Sequence, residues 1–255
     1  MHSVVLYLVY SVVQIKFRQI ILFSKERIDN KMSNPKEELE KIQELFSKAK
    51  YDEVQPLLKD YLSKYPENPL VYKLYGNVLA YTGYLNKARL VWKYGLKKFP
   101  ENTDILYNLA LSGIVSGKPC KIYLKKLLDI KPDDMEAISM LAQIAKDNGN
   151  YKLSIKYWKQ ALELQPDNVE IMNNIGVSYA ILSRYEQAAV WYKKALEIDN
   201  NYALAYFNLS NALYEIGEYQ EALQNAEKSM ELDPTTHAPQ ALSLIRQIKK
   251  KLEIK

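Results

Sequence analysis

The chain has 255 residues, of which 48% are hydrophobic and 25% charged, a balance that excludes a disordered tail or a collagen-like protein. Its histidines are His2 and His237 and its one cysteine is Cys120, which excludes a disulfide framework and a clustered Cys/His zinc site. The net charge of +5 comes from the two ends, with +3 in residues 1–31 and +4 in residues 238–255. The remaining −2 in residues 32–237 argues against nucleic-acid binding.

The first thirty-one residues form an apolar extension. Residues 3–15 are strongly apolar, and Lys16 and Arg18 interrupt the chain before a second apolar run at 20–23. The first run is too short to cross a bilayer, which needs roughly 20 residues, and a span extended to residue 23 would carry two cations that cost about 2.5 to 3.5 kcal/mol each. The segment also has neither the positive start nor the small-residue cleavage site of a secretory signal.

Three interpretations of residues 1–31 stay open. Met32 begins the sequence MSNPKEELEKIQ directly ahead of the first repeat, so one hypothesis is that the native chain starts at Met32 rather than Met1. The others are a membrane-proximal anchor through residues 3–23 and a buried extra helix. An intact mass of the native protein that matches a start at Met1 would exclude the first of these.

A sequence period organises the chain from residue 35 to residue 236. Five prolines lie 34, 32, 34 and 68 residues apart, and Asn200 stands where the long interval skips one: Pro66, Pro100, Pro132, Pro166 and Pro234. Five repeats of 34 residues and one of 32 follow from this spacing. We number them repeat 1 to repeat 6: 35–68, 69–102, 103–134, 135–168, 169–202 and 203–236.

Other residue types recur at fixed positions within the repeats, counted in repeat 3 with allowance for its two missing residues. Small residues stand at position 8 (Gly76, Ala110, Ala142, Gly176, Ser210) and at position 20 (Ala88, Cys120, Ser154, Ala188, Ala222). Large side chains stand at position 24: Leu58, Trp92, Leu124, Trp158 and Tyr192. This pattern predicts two helices per repeat that cross closely at the small residues, with the large side chains filling the gaps.

Glycine at position 15 marks the expected turn between the two helices. It occurs as Gly83, Gly149 and Gly217, where a positive φ is easiest for a residue without Cβ. The closing proline then ends the second helix, so each repeat is predicted to be helix, tight turn, helix.

These repeats resemble the tetratricopeptide repeat (TPR) family. The segments IMNNIGVSYAILSRYEQAAVWYKKALEID (171–199) and YFNLSNALYEIGEYQEALQNAEKSMELDP (206–234) are close to the family's signature, and the resemblance covers about 200 residues. It implies an all-α fold, a right-handed superhelical solenoid of about six helix-turn-helix units plus a C-terminal capping helix.

Three parts of the chain depart from the family pattern or lie beyond it. Repeat 1 has a polar first helix and is expected to be a terminal capping repeat. Repeat 3 is two residues short and carries Pro119 beside Cys120, which predicts a tighter turn. In residues 237–255, one apolar helical face is expected to cover the end of the stack. That face consists of Ala241, Ile245, Ile248 and Leu252.

Catalytic constellations are not found in the sequence. It contains no GxxxxGK[ST], GxGxxG, GxSxG or HExxH motif. The aspartates beside the repeat ends are interpreted as turn and helix-cap residues, and Cys120 as a buried, inert thiol. These aspartates are Asp133, Asp134, Asp167, Asp199 and Asp233. The chain is therefore predicted not to be an enzyme and to need no metal and no cofactor.

The resemblance places the partner-binding groove on the first helix of each repeat, at positions 2, 5, 6, 9, 12 and 13. The candidate groove residues are Lys73, Asn77, Tyr81, Tyr107, Asn108, Lys146, Asn173, Asn174, Phe207, Asn208, Asn211 and Tyr214. Asparagine amides can hydrogen-bond to a peptide main chain, and tyrosines offer rigid apolar area with a polar tip. The mixture favours a protein or peptide segment bound mainly through its backbone.

The same residues allow two other interpretations. Asn108, Asn174 and Asn208 stand where family members commonly have asparagine, and there they would pack neighbouring repeats. Lys73, Asn77 and Asn108 resemble part of the carboxylate clamp by which some family members hold a peptide C-terminus. The other cations of the clamp are replaced by Glu136 and Met140, so no clamp is predicted.

The sequence thus predicts a cytoplasmic, non-enzymatic scaffold or adaptor that binds a protein segment in the groove and no nucleic acid. The contacts expected to matter most are Tyr107, Asn173, Asn174, Phe207, Asn211 and Tyr214, with Lys73 attracting an acidic group. The main alternative is a membrane-tethered TPR assembly factor of an envelope complex, anchored through residues 3–23. A third interpretation is the regulatory subunit of an enzyme.

Overall fold

The computed structural model describes residues 34–236 and 238–253, and these form thirteen α-helices. They are α1 (Pro35–Ser47), α2 (Tyr51–Lys64), α3 (Pro69–Tyr81), α4 (Leu85–Lys98), α5 (Thr103–Val115), α6 (Lys121–Ile130), α7 (Met135–Asp147), α8 (Tyr151–Leu164), α9 (Val169–Ile181), α10 (Tyr185–Ile198), α11 (Ala203–Ile216), α12 (Tyr219–Leu232) and α13 (Ala238–Glu253). The predictions for residues 1–31, including the anchor through 3–23, lie outside the described residues.

The chain divides into two compact units, with the boundary after Lys126. Unit 1 contains α1 to α5 and the start of α6, and unit 2 contains the end of α6 and α7 to α13. The helices follow one another as hairpins, and consecutive helices pack together from α1 to α5 in unit 1 and from α7 to α13 in unit 2. The predicted all-α helical-repeat fold is confirmed.

Side-chain caps fix the starts of the first helices. In repeats 1 to 5 an Asn or Asp side chain accepts a hydrogen bond from a backbone N–H of the first turn, which satisfies a donor that has no partner inside the helix. The caps are Asn34, Asn68, Asn102, Asp134 and Asn168. The capping role predicted for Asp134 is confirmed, whereas the four asparagine caps were missed.

The turn inside every repeat uses a residue with positive φ at position 15. The three predicted glycines have φ of 86° (Gly83), 73° (Gly149) and 93° (Gly217), as expected. Gly117 does the same in repeat 3, with φ 63°. In repeats 1 and 5 the position is held by Ala49 and Ser183, both at φ 55°, a conformation that is strained for a residue with a Cβ.

Replacement of Ser183 by glycine should therefore stabilise the protein. We expect Ser183→Gly to raise the free energy of unfolding by roughly 0.5 to 1 kcal/mol, because relief of left-handed strain exceeds the entropy that glycine adds to the unfolded chain. The reverse change at the same repeat position, Gly149→Ser, should lower it by a similar amount. Urea denaturation followed by circular dichroism measures both, and equal stabilities of wild type and Ser183→Gly would contradict the strain argument.

The close helix crossings predicted from the small residues are confirmed in both units. In unit 1 the indole of Trp92 lies directly against Gly76, where an added Cβ would overlap it, and its Nε1 donates to the carbonyl oxygen of Lys73 at 3.3 Å. In unit 2 the ring of Tyr192 lies against Gly176 in the same way. A large side chain from the second helix thus fills the gap left by the glycine of the first.

Repeat 3 corrects the expectation of a tighter turn. The connection from α5 to α6 covers residues 116–120, whereas three residues, 82–84, join α3 to α4. The second helix is shorter instead: α6 has 10 residues and α4 has 14, so α6 lacks the two missing residues and two more that lengthen the connection. Pro119 explains the late start, because it lacks an N–H and disfavours helical geometry in the residue before it.

The last helix, α13, packs its apolar face against α12 and α11. Ala241, Ile245 and Ile248 are buried and Leu252 is half-buried, as the spacing predicted. Leu244 is buried as well and had not been assigned to this face. The helix closes the apolar cluster at the end of unit 2.

Within residues 34–236 and 238–253, no helix combines the length and apolar character needed to cross a membrane.

Candidate binding surface

In each unit the first helices of two neighbouring repeats contact each other, α3 with α5 in unit 1 and α9 with α11 in unit 2. We use the name first-helix face for the surface that the first helices form in each unit, taken separately: α1, α3 and α5 in unit 1, and α7, α9 and α11 in unit 2. All twelve candidate groove residues lie on these helices.

In unit 1, three of the candidate residues form side-chain contacts that link repeat 2 to repeat 3. Lys73 Nζ lies 2.8 Å from Asp104 Oδ2, and Asn108 Nδ2 donates to Asn77 Oδ1 at 2.8 Å. The packing interpretation therefore holds for Asn108. The charge of Lys73 is already paired with Asp104, so an incoming acidic group would compete with that carboxylate.

Aromatic candidates in unit 1 remain accessible. Tyr81 is 64% exposed, and its ring stacks on that of Tyr51 with centroids 5.2 Å apart. The centroid of the Phe46 ring lies 6.1 Å from that of Tyr81. Tyr107 is half-buried on α5. The three contacting rings offer aromatic surface together with the polar hydroxyl groups of two tyrosines.

Sequence reasoning missed an apolar stripe on α5. Leu111, Ile114 and Val115 are all exposed, Val115 by 72%. They occupy positions 9, 12 and 13 of repeat 3, which the repeat pattern assigns to the groove. Their apolar character favoured a core interpretation, although their positions alone indicated the first-helix face.

In unit 2, one asparagine pair again joins neighbouring repeats. Asn208 Nδ2 donates to Asn173 Oδ1 at 2.9 Å, and Asn173 is only 4% exposed. Asn173 therefore supports the face from below rather than lying on it. The partner of Asn208 stands at position 5, whereas Asn108 bonds to position 9, because position 9 of repeat 5 is the apolar Val177.

The remaining candidates of unit 2 lie on the face itself. Asn174 is half-buried, and its amide has no hydrogen-bond partner among the described residues. Asn211 Nδ2 donates to the carbonyl oxygen of Phe207 at 2.9 Å. Tyr214 packs its ring 5.5 Å from that of Tyr219. Lys146, on α7, is also half-buried.

Cys120 lies away from the first-helix face, at the start of α6. It is 7% exposed, and burial raises the pKa of its thiol despite the nearby charges of Lys121 and Arg89. The predicted buried thiol is confirmed, and thiolate chemistry is disfavoured there. Among the residues that the structure describes, no three His, Cys, Asp or Glu side chains are grouped so that they could hold a metal ion.

Comparison with known families and folds defines the class of the protein. Its hairpins form a helical-repeat protein, and family models described as tetratricopeptide repeat match residues 139–203 and 203–236. The resemblance to the tetratricopeptide repeat family is thus confirmed over residues 139–236. This family is generally a protein-interaction fold. A comparison with curated proteins finds no significant sequence match.

Solved structures share the fold at low sequence identity. A crystal structure of YrrB, described as a TPR protein with an unusual peptide-binding site, is 19% identical with a TM-score of 0.62, and covers 76% of this chain and 97% of its own. A MamA crystal structure is 22% identical with a TM-score of 0.61, covering 68% and 96%. MamA from Desulfovibrio magneticus RS-1 is 18% identical with a TM-score of 0.58, covering 68% and 99%.

Proposed function

We propose that this protein is a non-enzymatic scaffold that binds an extended protein segment on the first-helix face. The observation that carries the proposal is Asn174 on α9, a half-buried residue whose amide has no partner among the described residues, on the helix that contacts α11 with its Phe207 and Tyr214. The amide atoms of Asn174 still reach solvent and are available to a ligand, and an extended peptide main chain offers them both a donor and an acceptor.

The neighbouring side chains suit the same ligand. The side chain of Asn211 bonds to the described chain only through its Nδ2, which leaves its Oδ1 as an acceptor without a partner there. Phe207 and Tyr214 add half-buried aromatic area on which side chains of the segment can pack. Asn173 and Asn208 hold these groups in register through their mutual hydrogen bond.

The face of unit 1 is suited to apolar side chains. Tyr107, Leu111 and Val115 follow one another along α5, and the last two are exposed. An apolar residue of a bound segment would remove this surface from water, which stabilises a complex by roughly 25 cal/mol per Å² buried. The partner class is therefore a segment with apolar side chains and an accessible main chain.

The fold comparison supports this proposal in one respect. YrrB, which shares the fold, is described as having a peptide-binding site, so this helical-repeat architecture can carry one.

Capture of partners from native lysate tests the proposal. The full chain is used as bait beside the double variant Asn174→Ala/Tyr214→Ala, and retained proteins are identified by mass spectrometry. We expect the variant to retain a specific partner at least about tenfold less well, because loss of central contacts dominates binding energy. The helical circular-dichroism spectrum should be unchanged.

A matched control removes the same two side chains elsewhere. Asn200 and Tyr84 are exposed residues outside the first helices, so Tyr84→Ala/Asn200→Ala should capture the partner as wild type does. Undiminished capture by Asn174→Ala/Tyr214→Ala would place the binding surface elsewhere and refute the assignment.

A further inference from the structure

A cavity of about 380 Å³ lies in unit 1 between α4 and the start of α6, away from the first-helix face. It exists where α6 lacks the first turn that the other second helices have. Its lining includes the cationic side chains of Arg89, Lys93 and Lys118. It also includes the apolar side chains of Leu90, Pro119 and Ile122.

Arg89 is a buried cation whose charge has no carboxylate partner. It is 6% exposed, and its Nη1 donates to Ser112 Oγ at 2.6 Å and to the carbonyl oxygen of Leu109 at 3.3 Å, both neutral acceptors. No acidic group pairs with it among the described residues, and its Nε and Nη2, which have no acceptor there, are not themselves cut off from solvent. Charges on largely buried side chains are normally paired in proteins, and this guanidinium has no counter-ion among the described residues.

The corresponding position in other repeats shows that a cation is not required for packing. Repeat 4 has Ile155 there and repeat 5 has Ala189, and both are buried. The repeat fold therefore does not require an arginine at this position. The positive charge of Arg89 distinguishes repeat 2 from repeats 4 and 5.

Two lysines extend the positive charge across the cavity. Lys118 Nζ donates to the side-chain oxygen of Asn86 at 2.6 Å, a neutral acceptor, and Lys93 is exposed. Among the described residues neither lysine forms an ion pair. Leu90 and Ile122 are exposed apolar side chains in the same lining. The site thus offers three cations beside apolar surface, which complements an acidic group carried next to an apolar one.

We propose that this cavity is a second binding site, which takes an acidic side chain and an adjacent apolar residue of a partner peptide. The carboxylate replaces the missing counter-ion of Arg89 and bonds to the guanidinium donors that are free, with Lys93 and Lys118 adding charge-assisted contacts. The apolar residue covers Leu90 and Ile122. The site is independent of the first-helix face.

Nuclear magnetic resonance of the full chain tests the proposal directly. The chain has five arginines, so the Nε–Hε signal of Arg89 can be identified by its loss in Arg89→Lys. The probe is acetyl-Leu-Glu-Leu-amide, titrated beside the uncharged acetyl-Leu-Gln-Leu-amide and inorganic phosphate. We expect saturable shifts of the Arg89 signal with the Glu peptide and binding about tenfold weaker with the other two probes.

Charge-matched variants complete the design. Lys93→Gln/Lys118→Gln should weaken binding of the Glu peptide by about tenfold, whereas Lys41→Gln/Lys59→Gln, with the same loss of charge at exposed positions of unit 1, should not change it. Asn174→Ala/Tyr214→Ala should also bind the probe normally, which separates this site from the first-helix face. An unshifted Arg89 signal, equal binding of the Gln peptide, tighter binding of phosphate, or normal binding by Lys93→Gln/Lys118→Gln would each overturn the proposal.

Discussion

Gly76→Ala is expected to lower the free energy of unfolding by about 2 to 3 kcal/mol, a large effect for a single methyl group. The new Cβ would overlap the indole of Trp92, which is buried and cannot move into solvent. Displacement of the ring would also break its hydrogen bond to the Lys73 carbonyl. Urea denaturation followed by circular dichroism gives the loss.

Repeat 4 shows what alanine at this position entails. There Ala142 stands at position 8 and Trp158 at position 24, both buried in one cluster. Among the described residues, the Nε1 of Trp158 is the one buried side-chain nitrogen or oxygen without a hydrogen-bond partner. An alanine opposite a tryptophan is therefore tolerated, but in this repeat the indole donor is left unsatisfied, which costs about 1 to 3 kcal/mol.

A double-mutant cycle isolates the Gly76–Trp92 contact. Trp92→Leu removes the overlapping ring, so Gly76→Ala in that background should cost at least about 1 kcal/mol less than in wild type. Equal costs in the two backgrounds would show that the glycine is needed for some reason other than the close crossing.

Ile248→Asp is the second change with a large expected effect, about 3 kcal/mol or more on the stability of the last helices. Ile248 is fully buried where α13 closes the cluster formed with Leu209, Leu213 and Leu244. A carboxylate at this position would lose apolar burial and would bring an unpaired charge into the core. We expect α13 to detach, because the helix is held mainly through this face.

Hydrogen exchange measured along the chain distinguishes detachment from general unfolding. Protection should fall in α13 and then in α12, while α3 to α5 in unit 1 keep theirs. Gln247→Asp makes the same charge at the neighbouring exposed position and should leave protection unchanged. Retained protection of α13 in Ile248→Asp would mean that its apolar face does not hold it in place.

The candidate surface was only partly predictable from the sequence. Position within the repeat placed Asn108 and Asn208 on first helices and allowed a packing role between repeats, but did not indicate that they bond to Asn77 and Asn173. The stripe of Leu111, Ile114 and Val115 was missed because apolar residues are usually assigned to a core. Arg89 resembled an ordinary surface arginine, since nothing in its neighbourhood in the sequence indicates burial.

The sequence by itself determined the repeat and its helices. Pro66 to Pro234 set the period, glycine at position 15 set the turns, and small residues opposite Trp92 and Tyr192 set the crossings, because backbone conformation and side-chain volume act locally and recur. Only the tertiary structure decided that Asn173 is buried and bonded to Asn208, and that Arg89 is buried without a counter-ion among the described residues. These features depend on contacts between residues about 20 to 35 positions apart, and their energies follow from distances that no local pattern contains.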